Sequence, residues 1–467
     1  MLSRVSETPY RVVLFFVVAV HFLAGASHSR AADGDNQYKD LQQSQALIEH
    51  LLQEHGSYSQ TLIEPYSQLA QMQLSAFRLE DAKASVNNAI RNSRISNGLY
   101  SSEQLPLQKL LIEINATESD WNAVEKNLIN LVSLVSAHAN FVPAKTIKEL
   151  QWASNVRLLA VREDTEDRLA LHIINGTILH ESMVVLAQKA GLTKTALYPQ
   201  LLHSLANQYF LETTAIIAGG STSYRLRLPS QGSNLVETRR EAIEKRYKAG
   251  LDKLLMIKAL AENPVSLAFS ELSITDWNAV FDRSADISTD YERIYAQFVN
   301  TDAPIHDIDQ LFASNRILPT MSLQLDFQHQ NSATSPINVA TASSVQVAEL
   351  NQNLPGYGNH VMGFGTENEI GRSWDAVRAK IMLEPSQRKT VHTGGYRVKS
   401  FVTSKQINII DDGEINGFDL RSTTSRMKAL SFRPVLRRGK VDASFVVVDY
   451  LVRSDDLSTS SNFVVLQ

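Results

Sequence analysis

The sequence predicts a multidomain chain: a long array of paired α-helices over residues 40–300, then a small α+β module over residues 376–453. Three observations predict it. From Asp40 to Phe298, apolar residues recur three and four apart and glycine and proline are sparse, as in amphipathic helices joined by short turns. After Asn300 the texture turns polar and small, with NSATSPINVATASS at 331–344 and the glycine-dense LPGYGNHVMGFG at 354–365. From Tyr396 short apolar runs read as strands, with one helical stretch between them, in the order β-β-α-β.

Residues 1–31 are expected to be a secretory signal peptide. Arg4 and Arg11 precede the apolar run VVLFFVVAVHFLAGA at 12–26, and Ala24-Gly25-Ala26 and Ser29-Arg30-Ala31 are small-residue cleavage sites. The run is shorter than the ~20 residues of a membrane span, and His21 interrupts it. A periplasmic location follows, with no stable transmembrane span after cleavage. The alternative is a retained inner-membrane anchor with the rest of the chain facing the periplasm. There is no cysteine, which excludes disulfides, a lipoprotein anchor, thiolate catalysis and zinc–cysteine sites. The formal net charge of -4 gives no basic excess for nucleic acid.

Along the array, Leu47, Leu51 and Leu52 open the apolar periodicity. Leu62, Tyr66 and Leu69 follow, then Leu107, Leu110, Leu111 and Ile114. The stretch 237–255 carries Glu241/Lys245 and Glu244/Lys248 at ion-pair spacing, with Ile243, Tyr247, Leu251 and Leu254 as its apolar stripe. The pentapeptide DWNAV occurs at 120–124 and again at 276–280. The first copy fits the turn that opens a second helix, with Ser119 or Asp120 as its N-cap. The second fits better inside a helix that precedes one carrying Tyr291, Ile294 and Phe298.

From Ile63, the order Tyr66, Leu69-Ala70, then Ala82, Val86 and Ala89 resembles the tetratricopeptide repeat, in which small residues let two antiparallel helices approach closely. The resemblance covers roughly residues 40–300 and is weak over 141–233. It implies an α-helical solenoid whose concave face binds a peptide or protein. In the best-matched repeat, Glu64, Ser67, Gln71 and Ser75 would line that face.

The module carries a second resemblance. Phe418-Asp419, a helix over 419–430 through Met427 and Leu430, Phe432-Arg433-Pro434, the Gly439-Lys440 hairpin and a strand over 441–452 are together similar to the C-terminal domain of TonB-type proteins. Strands at 396–404 and 407–410 would complete a ββαβ domain, with a turn at Ser404-Lys405. Phe432 would close the helix onto the sheet. Residues 301–375 are left as a loop-rich connection and 454–467 as a tail.

No catalytic, metal or cofactor site is read from the sequence. The 12 histidines form no HExxH, no GxSxG occurs, and Gly356, Gly358, Gly363 and Gly365 lack the Lys-Ser/Thr of a phosphate loop. His180-Glu181 reads as a helix-surface pair, and Trp121, Trp152, Trp277 and Trp374 as core anchors. The functional expectation is a non-enzymatic scaffold in the cell envelope, with a protein or peptide partner in the helical groove and another at the C-terminal sheet edge. Two alternatives stand beside it. A TonB-like energy transducer would need a proline-rich spacer, whereas the 13 prolines lie singly. An enzyme with an unrecognised site is the other.

Overall fold

The computed structural model describes residues 30–137, 142–164, 168–218, 239–313, 316–320, 323–327, 345–349, 374–385, 402–411, 431–442 and 444–453. The predicted cleavage sites at 24–26 and 29–31, the polar stretch 331–344, the glycine-rich 354–365, the helix over 419–430 and the tail lie wholly or mostly outside these residues. The described chain is mostly helical, with twelve α-helices and a few strands toward the C-terminus. It divides into two compact units between Asn140 and Phe141.

The first unit holds α1 (Arg30–His55), α2 (Ile63–Ser75), α3 (Leu79–Asn97), α4 (Gln104–Thr117) and α5 (Trp121–Ala137), each packed on the next. On α1, Leu41 and Ile48 turn inward and Leu47 is exposed, one position off the expected stripe. Between α2 and α3 the small residues predicted for close approach do meet. Ala70, Ala82, Val86 and Ala89 are all fully buried, packed with Leu107, Leu110, Leu111 and Ile114 of α4. Gly98, at φ +89, ends α3 where a side chain would be strained. Two hairpins share one turn. The amides of Phe77 and Arg78 bond the carbonyls of Leu74 and Gln73, and those of Ser119 and Asp120 bond Ala116 and Asn115. Phe77 and Ser119, both in the left-handed region, occupy the position where such helix ends prefer glycine. The first DWNAV follows the second turn: the Asp120 carboxylate accepts from the Ala123 amide at 3.0 Å and caps α5.

The second unit contains α6 (Pro143–Glu163), α7 (Leu169–Lys189), α8 (Leu197–Ala218), α9 (Arg239–Ala259), α10 (Pro264–Val280), α11 (Ile287–Val299) and α12 (Ile305–Leu311). From α6 to α11 each helix packs on its successor. Asn263 and Ser266 form a reciprocal capping box before Pro264, and Asp286 caps α11. The second DWNAV lies within α10, so the two copies occupy different places in their hairpins. As expected, Tyr291, Ile294 and Phe298 of α11 are fully buried. Among the described residues one helical segment, Ala170–Lys189, is long and apolar enough to cross a membrane, and half of it is buried within the unit. On α9 the buried line is Ala242, Arg246, Gly250, Leu254 and Ile257, rather than the stripe through Tyr247 and Leu251. The shift has two causes: Arg246 meets a buried carboxylate, and Gly250 receives the ring of Trp277.

The C-terminal strands depart from the predicted domain. Strands β1 (Arg316–Leu318) and β5 (Ser431–Arg433) pair antiparallel across more than a hundred residues of chain. Strands β6 (Leu436–Arg437) and β7 (Lys440–Val441) form a hairpin whose turn residues, Arg438 and Gly439, both have positive φ. Gly439 lies against the ring of Tyr295, where a Cβ would stand 2.9 Å from it. Leu436 enters the core made by Phe269, Phe298, Ile308, Leu311 and Phe312. The segment 431–442 is therefore packed on α10–α12, and α12, Phe312 and Leu318 belong to the core rather than to a connecting loop. Strands β2 (Val345–Glu349), β8 (Ser444–Arg453), β3 (Trp374–Pro385) and β4 (Val402–Asp411) form a four-stranded sheet in that order. Within it β2–β8 is parallel and the other pairs are antiparallel. The expected turn at Ser404-Lys405 is not made. Strand β4 runs through it, and Lys405 is the extra residue of a bulge between the pairs Met382↔Gln406 and Leu383↔Ser404.

Candidate functional site

Helix α2 presents the four predicted binding residues on one side. Glu64, Gln71 and Ser75 are exposed and Ser67 is half-buried, while Leu69, Ala70 and Gln73 face inward. Their three-and-four spacing makes this a single polar stripe. Part of it is internally satisfied: Gln68 Nε2 donates to Glu64 Oε1 at 2.9 Å, and Ser75 Oγ donates to the Gln71 carbonyl at 3.0 Å. Gln73, on the inner side, accepts from Ser85 Oγ at 2.7 Å and fixes α2 against α3. In the turn just past the end of α2 is Phe77, which the sequence reading missed. It is 65% exposed and has φ +55. A bulky aromatic in the left-handed region costs roughly 1–2 kcal/mol against glycine, and here the ring recovers little of that by burial. A large residue at the glycine-favoured position of a three-residue turn was the signal available in the sequence.

The interior of the second unit is unusually polar. Glu212 on α8 accepts from Thr177 Oγ1 at 2.6 Å and Arg246 Nε at 2.9 Å, all three buried. His172 Nε2 meets Asp164 at 2.7 Å, and Arg157 lies 3.5 Å from its other ring nitrogen. His180 does not lie on the helix surface as expected. Its Nδ1 is 3.0 Å from the Gly176 carbonyl and 3.1 Å from Ser154 Oγ, and burial pushes its pKa down to about 4. Burial does the same to His203. Glu181, next to His180 in the sequence, is exposed and accepts from Tyr209 Oη at 2.9 Å. The spacing of His172, Gly176 and His180, each four apart, put them on one face, but the surrounding Leu, Ile and Val gave no reason to turn that face inward. In the first unit, burial raises Glu113 to about 7, opposed by Lys109.

A third cluster surrounds the second DWNAV. Trp277 Nε1 donates to the Tyr247 carbonyl at 3.1 Å, and Tyr247 Oη donates to Asn278 Oδ1 at 2.9 Å. Asp276 is buried and accepts three bonds. Tyr291 Oη donates to Oδ1 at 2.8 Å, Arg433 Nε donates to the same oxygen at 3.1 Å, and Arg433 Nη2 reaches Oδ2. The Asp276 carboxylate supports the Arg433 charge against the cost of burial, while burial and that carboxylate push the Tyr291 phenol well up. Among the described residues no group of three or more His, Asp or Glu side chains could hold a metal ion.

No protein-family model matches the sequence, and no curated protein is significantly similar to it. The tetratricopeptide and TonB-type resemblances therefore rest on residue pattern alone.

Proposed function

We propose that this protein is an exported, non-enzymatic scaffold of the cell envelope that binds a peptide or protein along its first helical unit. In this reading the hairpins α2/α3 and α4/α5 are tetratricopeptide-like, although their matching turns lie 42 residues apart against about 34 in that repeat. The 19-residue α3 and the connection 98–103 that follows it account for the excess. The face of Glu64, Ser67, Gln71 and Ser75 supplies polar contacts, and the partner's apolar group sits on Phe77. The exposed, strained Phe77 carries the proposal: neither its backbone nor its uncovered ring favours the fold, whereas an apolar group of a partner would bury the ring. The C-terminal sheet, read as TonB C-terminal-like, offers a second contact. Strand β4 is bonded to β3 alone among the described strands, so an extended segment could add to its other edge.

The test uses the full-length protein in envelope preparations, with a photo-crosslinking residue at Gln71 and, as control, at the exposed Lys126 on α5. A discrete adduct at Gln71 and none at Lys126 is expected. Phe77→Gly should weaken the adduct by roughly fivefold, the effect of losing about 1 kcal/mol of contact, while stabilising the first unit by a similar amount. Adducts of equal strength at both positions, or a Phe77→Gly variant with unchanged crosslinking, would remove the proposal. Export is tested separately by intact mass: the mature chain should begin after Ala26 or Ala31, and retention of Met1 would favour the anchored form.

A further inference from the structure

The ribbon β1/β5 sets two arginines face to face. Arg316 and Arg433 are direct cross-strand partners, so their side chains leave the same face of the ribbon. Like charges in that position repel unless something neutral or negative separates them. Among the described residues one carboxylate, Asp276, bonds either of them. Asp276 takes Nε and Nη2 of Arg433 and, with the Tyr291 hydroxyl added, is well supplied with donors. Among the described residues Arg316 bonds the neutral amide of Gln324, its Nη1 donating to Oε1 at 3.3 Å. Two positive groups therefore face one negative group in a place largely shut from water.

The donors are also in excess. Arg433 is 3% exposed, and its Nη1 has no acceptor; Gln324 is 8% exposed, and its Nε2 has none either. A buried guanidinium N–H left unmade is expensive, and buried donors in native proteins nearly always have partners. An acceptor carrying about one negative charge would answer these donors and balance the second guanidinium.

We propose that the Arg316–Arg433 ribbon is a binding site for a small oxyanion, a phosphate or carboxylate group held by Arg433 Nη1, the Arg316 guanidinium and Gln324 Nε2. The planar guanidinium fork suits two oxygens of such a group. Arg316 is partly buried and is the group an anion would meet first, whereas Arg433 and Gln324 are buried. Burial and the neighbouring Arg433 charge already pull the Arg316 pKa down to about 10, which an anion between them would reverse.

The full-length protein would be melted in sodium phosphate, sodium acetate and sodium chloride at equal ionic strength. Saturating phosphate or acetate is expected to raise the Tm of the second unit by roughly 3 °C over chloride, as a ligand of the folded state does. Whichever anion acts identifies the oxyanion as phosphoryl or carboxylate. Arg316→Gln should abolish the difference while leaving the Tm in chloride equal or higher, because it removes the repulsion without touching the Asp276 pair. Equal melting in all three salts, or a shift that survives Arg316→Gln, overturns the proposal. If Arg316→Gln does not fold, phosphate and acetate titrations of the wild-type protein by calorimetry decide: a saturable one-site isotherm supports the site, and no binding heat with either anion overturns it.

Discussion

Gly250 and Trp277 show how far a single atom can matter in the second unit. A Cβ at Gly250 would stand 2.1 Å from the indole ring, which is also tied through Nε1 to the Tyr247 carbonyl and cannot swing aside without losing that bond. In an open helix, Gly→Ala gains up to about 1 kcal/mol. Here Gly250→Ala is expected to destabilise instead, by about 1–3 kcal/mol, the usual cost of overpacking. Urea denaturation followed by tryptophan fluorescence would show it, and a variant as stable as the parent would mean that the indole has room. The sequence offered both residues but not their meeting. Glycine in a helical stretch and tryptophan in the next helix are individually ordinary, and only the close crossing of α9 and α10 makes them a pair.

At the scale of elements, the helices were legible because their evidence is local. Ala70, Ala82 and Ala89 announce close packing by their size and spacing, and the N-cap role of Asp120 follows from two neighbouring residues. Strand β5 was not legible as a part of the helical core, because its partner β1 lies more than a hundred residues away and nothing local records a distant register. Phe432 is buried as expected, at 4% exposure, but it lies opposite Ile317 and next to α10, while the helix it was expected to close lies outside the described residues. Phe432→Ala should therefore lower the stability of the helical second unit itself by about 3–5 kcal/mol, and most of that unit's helical signal should melt earlier in circular dichroism. Loss of strand signal alone, with the helices melting as in the parent, would restore an independent C-terminal domain.

Over the whole molecule, the two units should answer acid in opposite ways. His180 and His203 are held neutral by burial, with pKa values depressed to about 4 from 6.5. Their contribution is complete above 6.5 and is lost as pH falls toward 4, about 2 kcal/mol for each by pH 5. Glu113 behaves inversely. Its pKa is raised to about 7, so its contribution is complete below the ordinary 4.5 and is lost as pH rises through 7. Calorimetry at pH 7 and pH 5 should show the second unit's transition moving down while the first unit's holds or rises; parallel movement of both would contradict these assignments. The same division bears on the order of events during synthesis. Helices α1 to α5 find their partners within one short stretch and can settle as they emerge. Asp276 waits for a guanidinium 157 residues downstream, and Leu311 and Phe312 wait for Leu436. The second unit can complete its core only after the ribosome has passed residue 442, so it remains an open chain, accessible to chaperones and proteases, long after the first has closed.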